Sequence, residues 1–197
     1  MWGFSPMAKK TVSRIRGGVR PARASAEAAV ETLWLSDDGG IPNNPDLPVV
    51  LIHGALDAEA GDAAIRALFE AQGWRGTWTW TVFDFHHYHP DAHEALAVAR
   101  GWGDIQLGGP SGPVLHLRAG DAMVLPAGTG HCRIAQSEDF AVCGGYPPDH
   151  TDVGLARADD PDQDRHRAQI ARVSRPETDP LFGAAGPLVR LWDDVGA

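Results

Sequence analysis

The run His86-His87-Tyr88-His89-Pro90-Asp91-Ala92-His93-Glu94 concentrates metal-binding side chains in one short stretch. On an extended strand, residues two apart point to the same side. His87 and His89 therefore share a face with Phe83 and Phe85, while His86 and Tyr88 take the other. Two imidazoles on one face, about 6–7 Å apart along the strand, can converge on a single ion through their ring nitrogens. A turn at Pro90-Asp91 brings Glu94 to the head of the next strand and adds a carboxylate. A further ligand is offered by Gly120-Asp121-Ala122-Met123-Val124-Leu125-Pro126-Ala127-Gly128-Thr129-Gly130-His131. There the glycines permit turns around a buried strand, Pro126 fixes its exit, and His131 begins the returning strand. Three neutral imidazoles and one carboxylate leave a divalent ion with a net charge near +1 and two open positions in an octahedral shell. Such ligands suit Fe, Mn, Ni, Co, Cu or Zn, and affinity alone does not choose among them. Cys132 and Cys143 fall outside both segments, so thiolate ligation is not expected.

The other candidates have plainer readings. Parity sends His86 away from the ligand face, and His93, next to Glu94, should point away from it. His53, His116, His150 and His166 stand alone and read as ordinary structural residues. Phe83 and Phe85 are expected to wall a substrate pocket. Arg133 shares parity with His131 and could reach that pocket to bind a carboxylate, or sit on a solvated rim. Trp78 and Trp80 read as packing under a helix or at a dimer interface.

The elements that must position these residues are short strands. Glu31–Leu35 and Val49–Ile52 are strand candidates on either side of the rigid Pro42-Asn43-Asn44-Pro45. A helix is expected over about Ala58–Gln72, capped by Asp57 and stopped by Gly73. From Thr77 to Phe85 the period changes from 3.6 to 2. Further strands are expected at Glu94–Arg100, Gly103–Leu107, Val114–Leu117, Asp121–Leu125, His131–Ala135 and Phe140–Gly144. Short, evenly spaced strands with Gly/Pro turns indicate an antiparallel sandwich or barrel. Asp162–Val173 is a candidate helix and Leu188–Trp192 a last strand or docking segment. A hairpin closed by Gln136–Asp139 would place Cys132 opposite Cys143 as neighbouring free thiols, too far apart for a relaxed disulfide.

Composition bounds the rest. The chain has 197 residues, 43% of them hydrophobic and 22% charged, enough for one soluble domain with extensions. Gly 23 and Pro 15 favour many turns over a helical bundle. No apolar run is long enough to span a membrane, no secretory signal is read, and only two cysteines are present, so a cytoplasmic location is expected. Lys9, Lys10, Arg14, Arg16, Arg20 and Arg23 give the first 23 residues a charge of +6 with no acid to offset it. The remaining 11 basic side chains face all 26 acidic ones, leaving a body near −15 that would repel nucleic acid. The arm, residues 1–28, could bind nucleic acid or act as an address, but its composition favours a solvated, disordered extension.

The two ligand segments resemble the two motifs of the cupin superfamily. The first runs G-x5-H-x-H-x3–4-E-x6-G. His87, His89, Glu94 and Gly101 match it, with Thr81 in place of the leading glycine. The second runs G-x5-P-x-G-x2-H-x3-N. Gly120, Pro126, Gly128 and His131 match it, with Ala135 in place of the asparagine. This likeness covers about residues 77–146. A narrower one, to YjlB-type bacterial cupins, rests on Pro42-Asn43-Asn44-Pro45, Phe85-His86-His87-Tyr88-His89, Pro126 to His131, and the tail Asp179–Gly183 through Gly186-Pro187-Leu188. It spans roughly residues 31–192.

The resemblance implies a mainly β fold: a single jelly-roll cupin barrel over residues 29–197, its core at about 77–146, with one N-terminal flanking helix and irregular terminal extensions. It also implies a mononuclear metal site and, at this size, a two-fold homodimer. The expected function is a metal-dependent oxygenase or isomerase/epimerase acting on a small polar metabolite. The alternative is a non-catalytic module that binds a metal or metabolite for sensing or storage. No nucleic-acid or membrane partner is expected.

Overall fold

The computed structural model describes residues 28–150 and 153–195; the expected basic arm, except for Ala28, lies outside them. Nine strands and three helices follow one another along the described chain: β1 (Ala29–Leu33), β2 (Val49–His53), α1 (Asp62–Ala71), β3 (Arg75–Trp80), β4 (Glu94–Arg100), β5 (Trp102–Leu107), β6 (Val114–Arg118), β7 (Ala122–Leu125), β8 (His131–Gln136), β9 (Ala141–Tyr146), α2 (Gln163–Ile170) and α3 (Pro187–Asp193). They form two antiparallel sheets, one of order β1-β2-β7-β4-β9-β3 and one of order β6-β5-β8. Two facing antiparallel sheets agree with the jelly-roll barrel that the resemblance implies. No helix among the described residues is long and apolar enough to cross a membrane.

β4, Glu-Ala-Leu-Ala-Val-Ala-Arg, shows why the larger sheet is covered on both faces. Its alanines at 95, 97 and 99 pack with Ile65 and Phe69 of α1 and with Leu188 and Trp192 of α3. Small side chains there let the helices approach closely. The alternate residues Leu96 and Val98 point into the space between the sheets, against Ile105, Leu107 and Phe140. β7 repeats the division, with Ala122 and Val124 toward the helices and Met123 and Leu125 toward the barrel interior. Glu94 has the parity of Leu96, so the strand's period of two carries a carboxylate inside.

Four expectations change. α1 begins at Asp62, not Ala58, because Asp57 folds into a local turn, its carboxylate accepting from the Glu59 N–H at 3.1 Å. β3 ends at Trp80, and residues 81–93 follow an irregular path, so the alternation expected through Phe85 stops. Leu188–Trp192 lies within a helix rather than a strand. Finally, β8 and β9 are not a hairpin: they belong to different sheets, with Cys132 opposite Gln106 and Cys143 between Ala97 and Thr79. The link Ser137–Phe140 is a corner between sheets, pinned where Ser137 Oγ accepts from the Trp102 N–H at 2.9 Å. Both cysteines are buried free thiols, but not neighbours across a hairpin.

Gly144 on β9 faces the barrel interior, and a methyl group there would run into the Trp78 indole. Gly144→Ala should therefore destabilise the protein by about 1–3 kcal/mol through overpacking. Urea unfolding checks this, and a variant as stable as the parent would show that Trp78 does not occupy that space.

Candidate metal centre

The ligand candidates come from three places on the chain and meet between the sheets. Residues 83–88 run beside β8 and extend the smaller sheet. His87 N–H donates to the His131 carbonyl at 3.3 Å, His131 N–H donates to the His87 carbonyl at 3.0 Å, and Arg133 N–H donates to the Phe83 carbonyl at 2.8 Å. These bonds set His87 beside His131, with ring centroids 4.0 Å apart. His89 is held by its own carbonyl, which accepts from the Gly128 N–H at 2.8 Å. Glu94 arrives from the opposite sheet. His87, His89 and His131 are all buried, with one nitrogen from each lying within 4.8 Å of the others. Glu94 Oε2 is 3.3 Å from His131 Nε2 and 3.6 Å from His89 Nε2. Two ligands about 2.1 Å from one ion stand about 3–4 Å apart, so these spacings suit a shared cation.

Hydrogen bonding fixes what each group can offer. The Nδ1 atoms of His87, His89 and His131 face the carbonyls of Phe85 (3.2 Å), Gly154 (2.6 Å) and Thr129 (3.1 Å). A carbonyl only accepts, so each Nδ1 carries the proton and each neutral ring keeps its lone pair at Nε2. Glu94 Oε1 accepts from the Tyr146 hydroxyl at 3.0 Å, and that hydroxyl accepts from the Trp78 indole N–H at 3.2 Å. Glu94 Oε2 is buried and has no hydrogen-bond partner. Bare imidazole nitrogens and an orphaned carboxylate oxygen thus share one buried spot without a donor between them. That donor set fits a divalent transition-metal ion.

Charge follows from the same burial. Burial, then the neighbouring His131, lowers the His87 pKa to about 3, so its ring is neutral near pH 7. Burial raises the Glu94 carboxyl, but the positive charge that His89, then His131 and His87, carry when protonated, with a hydrogen bond from His131 in that state, outweighs it and lowers the group to about 2. Burial and the Glu94 charge push the Tyr146 phenol upward, keeping it a donor.

The remaining sequence candidates fall elsewhere. His93 turns to the helix face, its ring 4.8 Å from that of Trp192; Nδ1 accepts from Ala127 N–H and Nε2 donates to the Ser174 carbonyl. His86 pairs with Gln106 at 3.2 Å. Phe83 lines the cavity beside the imidazoles, but Phe85 is outside it, stacked on Phe83 at 4.8 Å and covered by Arg157. Arg133 is also outside, because its Nε donates to the Val82 carbonyl at 3.0 Å. Tyr146 and Trp78 were not expected at the site. Tyr146 lies past the last predicted strand residue, so no alternation argument reached it.

The rings of His87 and His93 link stability to pH in the metal-free protein. Burial, then the nearby His150, also lowers the His93 pKa to about 3. Below the ordinary value of 6.5 the unfolded chain takes up a proton at each ring that the folded chain refuses until near 3. Their contribution is therefore complete above pH 6.5 and is lost as pH falls toward 3. Glu94, depressed from 4.5 to about 2, adds a loss of the same sign below 4.5. Urea midpoints of chelator-treated protein should fall steadily from pH 7 to 4. A flat profile would contradict the buried neutral rings.

A family model described as Cupin matches residues 86–159. The uncharacterized protein YjlB of Bacillus subtilis (strain 168) is 36% identical over 166 residues, covering 84% of this chain and 98% of YjlB. Among solved structures, an uncharacterized conserved protein with a double-stranded beta-helix domain from Klebsiella pneumoniae aligns at 20% identity and TM-score 0.35, covering 79% of this chain and 100% of that one. Acireductone dioxygenase from Bacillus anthracis, with a cadmium ion in its active center, aligns at 18% identity and TM-score 0.34, covering 46% and 60%. With that identity maintained across nearly all of YjlB, the chain belongs to the cupin family, among its YjlB-like members.

Proposed function

We propose that the protein is a metal-dependent enzyme in which His87, His89, Glu94 and His131 hold one divalent transition metal beside a small substrate cavity. The observation that carries this reading is the orphaned Glu94 Oε2, facing bare imidazole nitrogens in a buried site with no donor among them. Structural burial alone gives no reason to keep such a group, since an unpaired buried charge costs several kcal/mol. A cation bound there would supply Lewis acidity and open positions for a metabolite or dioxygen, as oxygenase or isomerase/epimerase chemistry requires.

The chain's own residues supply the rest. Backbone carbonyls fix the three rings, and the Tyr146 hydroxyl occupies Oε1 so that Oε2 alone faces the imidazoles. Trp78 in turn orients the phenol. The cavity, about 130 Å³, is bounded by Trp78, Val82, Phe83 and Leu96, which exclude water from the reacting end. The reading takes the protein to be cytoplasmic, as a chain with only two cysteines suggests.

Elemental analysis of untagged protein should give about one equivalent of Fe, Mn, Ni, Co, Cu or Zn per chain. Glu94→Gln combined with His131→Ala should reduce it at least tenfold, while far-ultraviolet circular dichroism remains that of the folded parent. Unchanged metal content in the folded double variant would end the metal reading. Turnover on a metabolite panel, read with oxygen uptake, separates an enzyme from a sensing or storage module.

Assembly belongs to the same proposal. Trp102, Val114 and Ile134, one on each strand of the smaller sheet, are exposed. Covering these three side chains in a two-fold homodimer is the expected arrangement. Light scattering should give about twice the chain mass of 21.0 kDa at micromolar concentration, and a monomer mass would refute it.

A further inference from the structure

We infer that the cavity beside Glu94 selects a small monoanion, with one oxygen-donor head and a compact apolar body, over dicarboxylates and sugars. The inference rests on the metal-dependent reading and adds a substrate class to it.

The walls give the first reason. Trp78, Trp80, Val82, Phe83 and Leu96 make an aromatic and aliphatic lining. Besides the four ligand candidates, its polar members are Thr81 and Tyr146, and both hydroxyl protons are committed. Thr81 Oγ1 donates to Gln136 Oε1 at 2.8 Å, and Tyr146 donates to Glu94 Oε1 at 3.0 Å. A sugar would bring several hydroxyls to a lining whose side-chain hydroxyl protons are already committed, and each unsatisfied buried group costs about 1–3 kcal/mol.

Charge gives the second reason. Among the described residues lining this cavity there is no Lys or Arg. Arg133, whose strand parity suggested a carboxylate-binding role, is turned away: its Nε is held by the Val82 carbonyl at 3.0 Å and its Nη2 is 3.9 Å from Asp84 Oδ2. A divalent ion with one carboxylate leaves a charge near +1, which a monoanionic head cancels. A second carboxylate would be desolvated without a counter-charge.

Size gives the third. The cavity of about 130 Å³ must hold the ion, the coordinating head and the body together. An apolar cavity of about 150 Å³ takes benzene, so once the ion and head are inside only about one to three heavy atoms of the body fit, and a larger body lies against Phe83 toward the mouth. Trp80, 58% exposed and in edge contact with Phe83 at 5.2 Å, marks the mouth through which such a molecule enters. The class is thus a small monocarboxylate, enolate or phenolate with a branched or aromatic body.

Cobalt-loaded full-length protein tests this with isobutyrate, benzoate, succinate and D-xylose as probes. Binding is read from the visible spectrum of the bound cobalt and from calorimetry, neither of which needs turnover. Isobutyrate or benzoate should bind at least tenfold more tightly than succinate, and D-xylose should give no response. Phe83→Ala should weaken benzoate several-fold while cobalt stoichiometry stays at one. Succinate or D-xylose binding as tightly as the monocarboxylates, or no response to any probe, would overturn the inference while one bound cobalt leaves the metal reading standing. Failure to bind cobalt would remove both.

Discussion

A buried carboxylate governs this interior. β4 is covered by helices on one face and by the second sheet on the other, so each of its alternate positions commits to one apolar environment. Glu94, at 3% exposure, falls on the interior face with Leu96 and Val98. Having placed a charge there, the fold must satisfy it, and successive contacts follow. Tyr146, the next interior residue along β9 after Gly144, hydrogen bonds to one oxygen. Trp78 reaches across from β3 to the phenol, and only a glycine at 144 leaves room for its indole. The second oxygen is left for the imidazoles. Neighbouring-residue identity is thus dictated outward from one side chain.

The His131 side of the site is braced in a different way. Asn43 adopts φ 53, and its side chain is buried. Its amide donates to the carbonyls of Ser36 at 2.7 Å and Gly108 at 3.0 Å, while its oxygen accepts from the Gly130 N–H at 3.1 Å. Asn44 donates to the Ala127 carbonyl at 3.0 Å, and His93 accepts from the Ala127 N–H at 2.9 Å. The loop leading into His131 is therefore tied on both sides to otherwise unrelated segments. The rigid, irregular Pro42-Asn43-Asn44-Pro45 is a clamp on that loop. Gly130, which adjoins a ligand candidate, is held at its N–H by the Asn43 side chain and at its carbonyl by the Gly108 backbone N–H.

The sequence was most informative where local chemistry and long-range packing agree. Short apolar runs between Gly/Pro turns marked eight of the nine described strands within two positions, and the convergence of the His87/His89 and His131 segments was readable from spacing. The failures share a cause: each applied a local rule where a distant partner decides. Gln136–Asp139 has the composition of a hairpin turn, yet β8 finds its partner in β5 and β9 finds its own in β4 and β3. Phe85 was carried on a strand parity that ends at Trp80, and of the two readings open for Arg133 the pocket one gives way to the bond from its guanidinium to the Val82 carbonyl. Tyr146 required knowing that β9 lies beside β4, which no periodicity reveals.

The position of the site relative to the two sheets has a thermodynamic consequence under the proposed reading. His87 and His131 are joined by backbone hydrogen bonds as part of the smaller sheet, whereas Glu94 belongs to the larger one. Between the sheets the contacts are otherwise apolar, made by side chains such as Leu96, Ile105 and Phe140 that tolerate small relative shifts. A cation shared by ligands from both sheets adds a directional constraint that apolar packing lacks. Because the unfolded chain holds no preformed set of these four groups, the binding free energy is also folding free energy. Occupancy would therefore act as a fastener across the barrel seam, and the same residues that open coordination positions to a metabolite would fix the spacing of the walls that shape it.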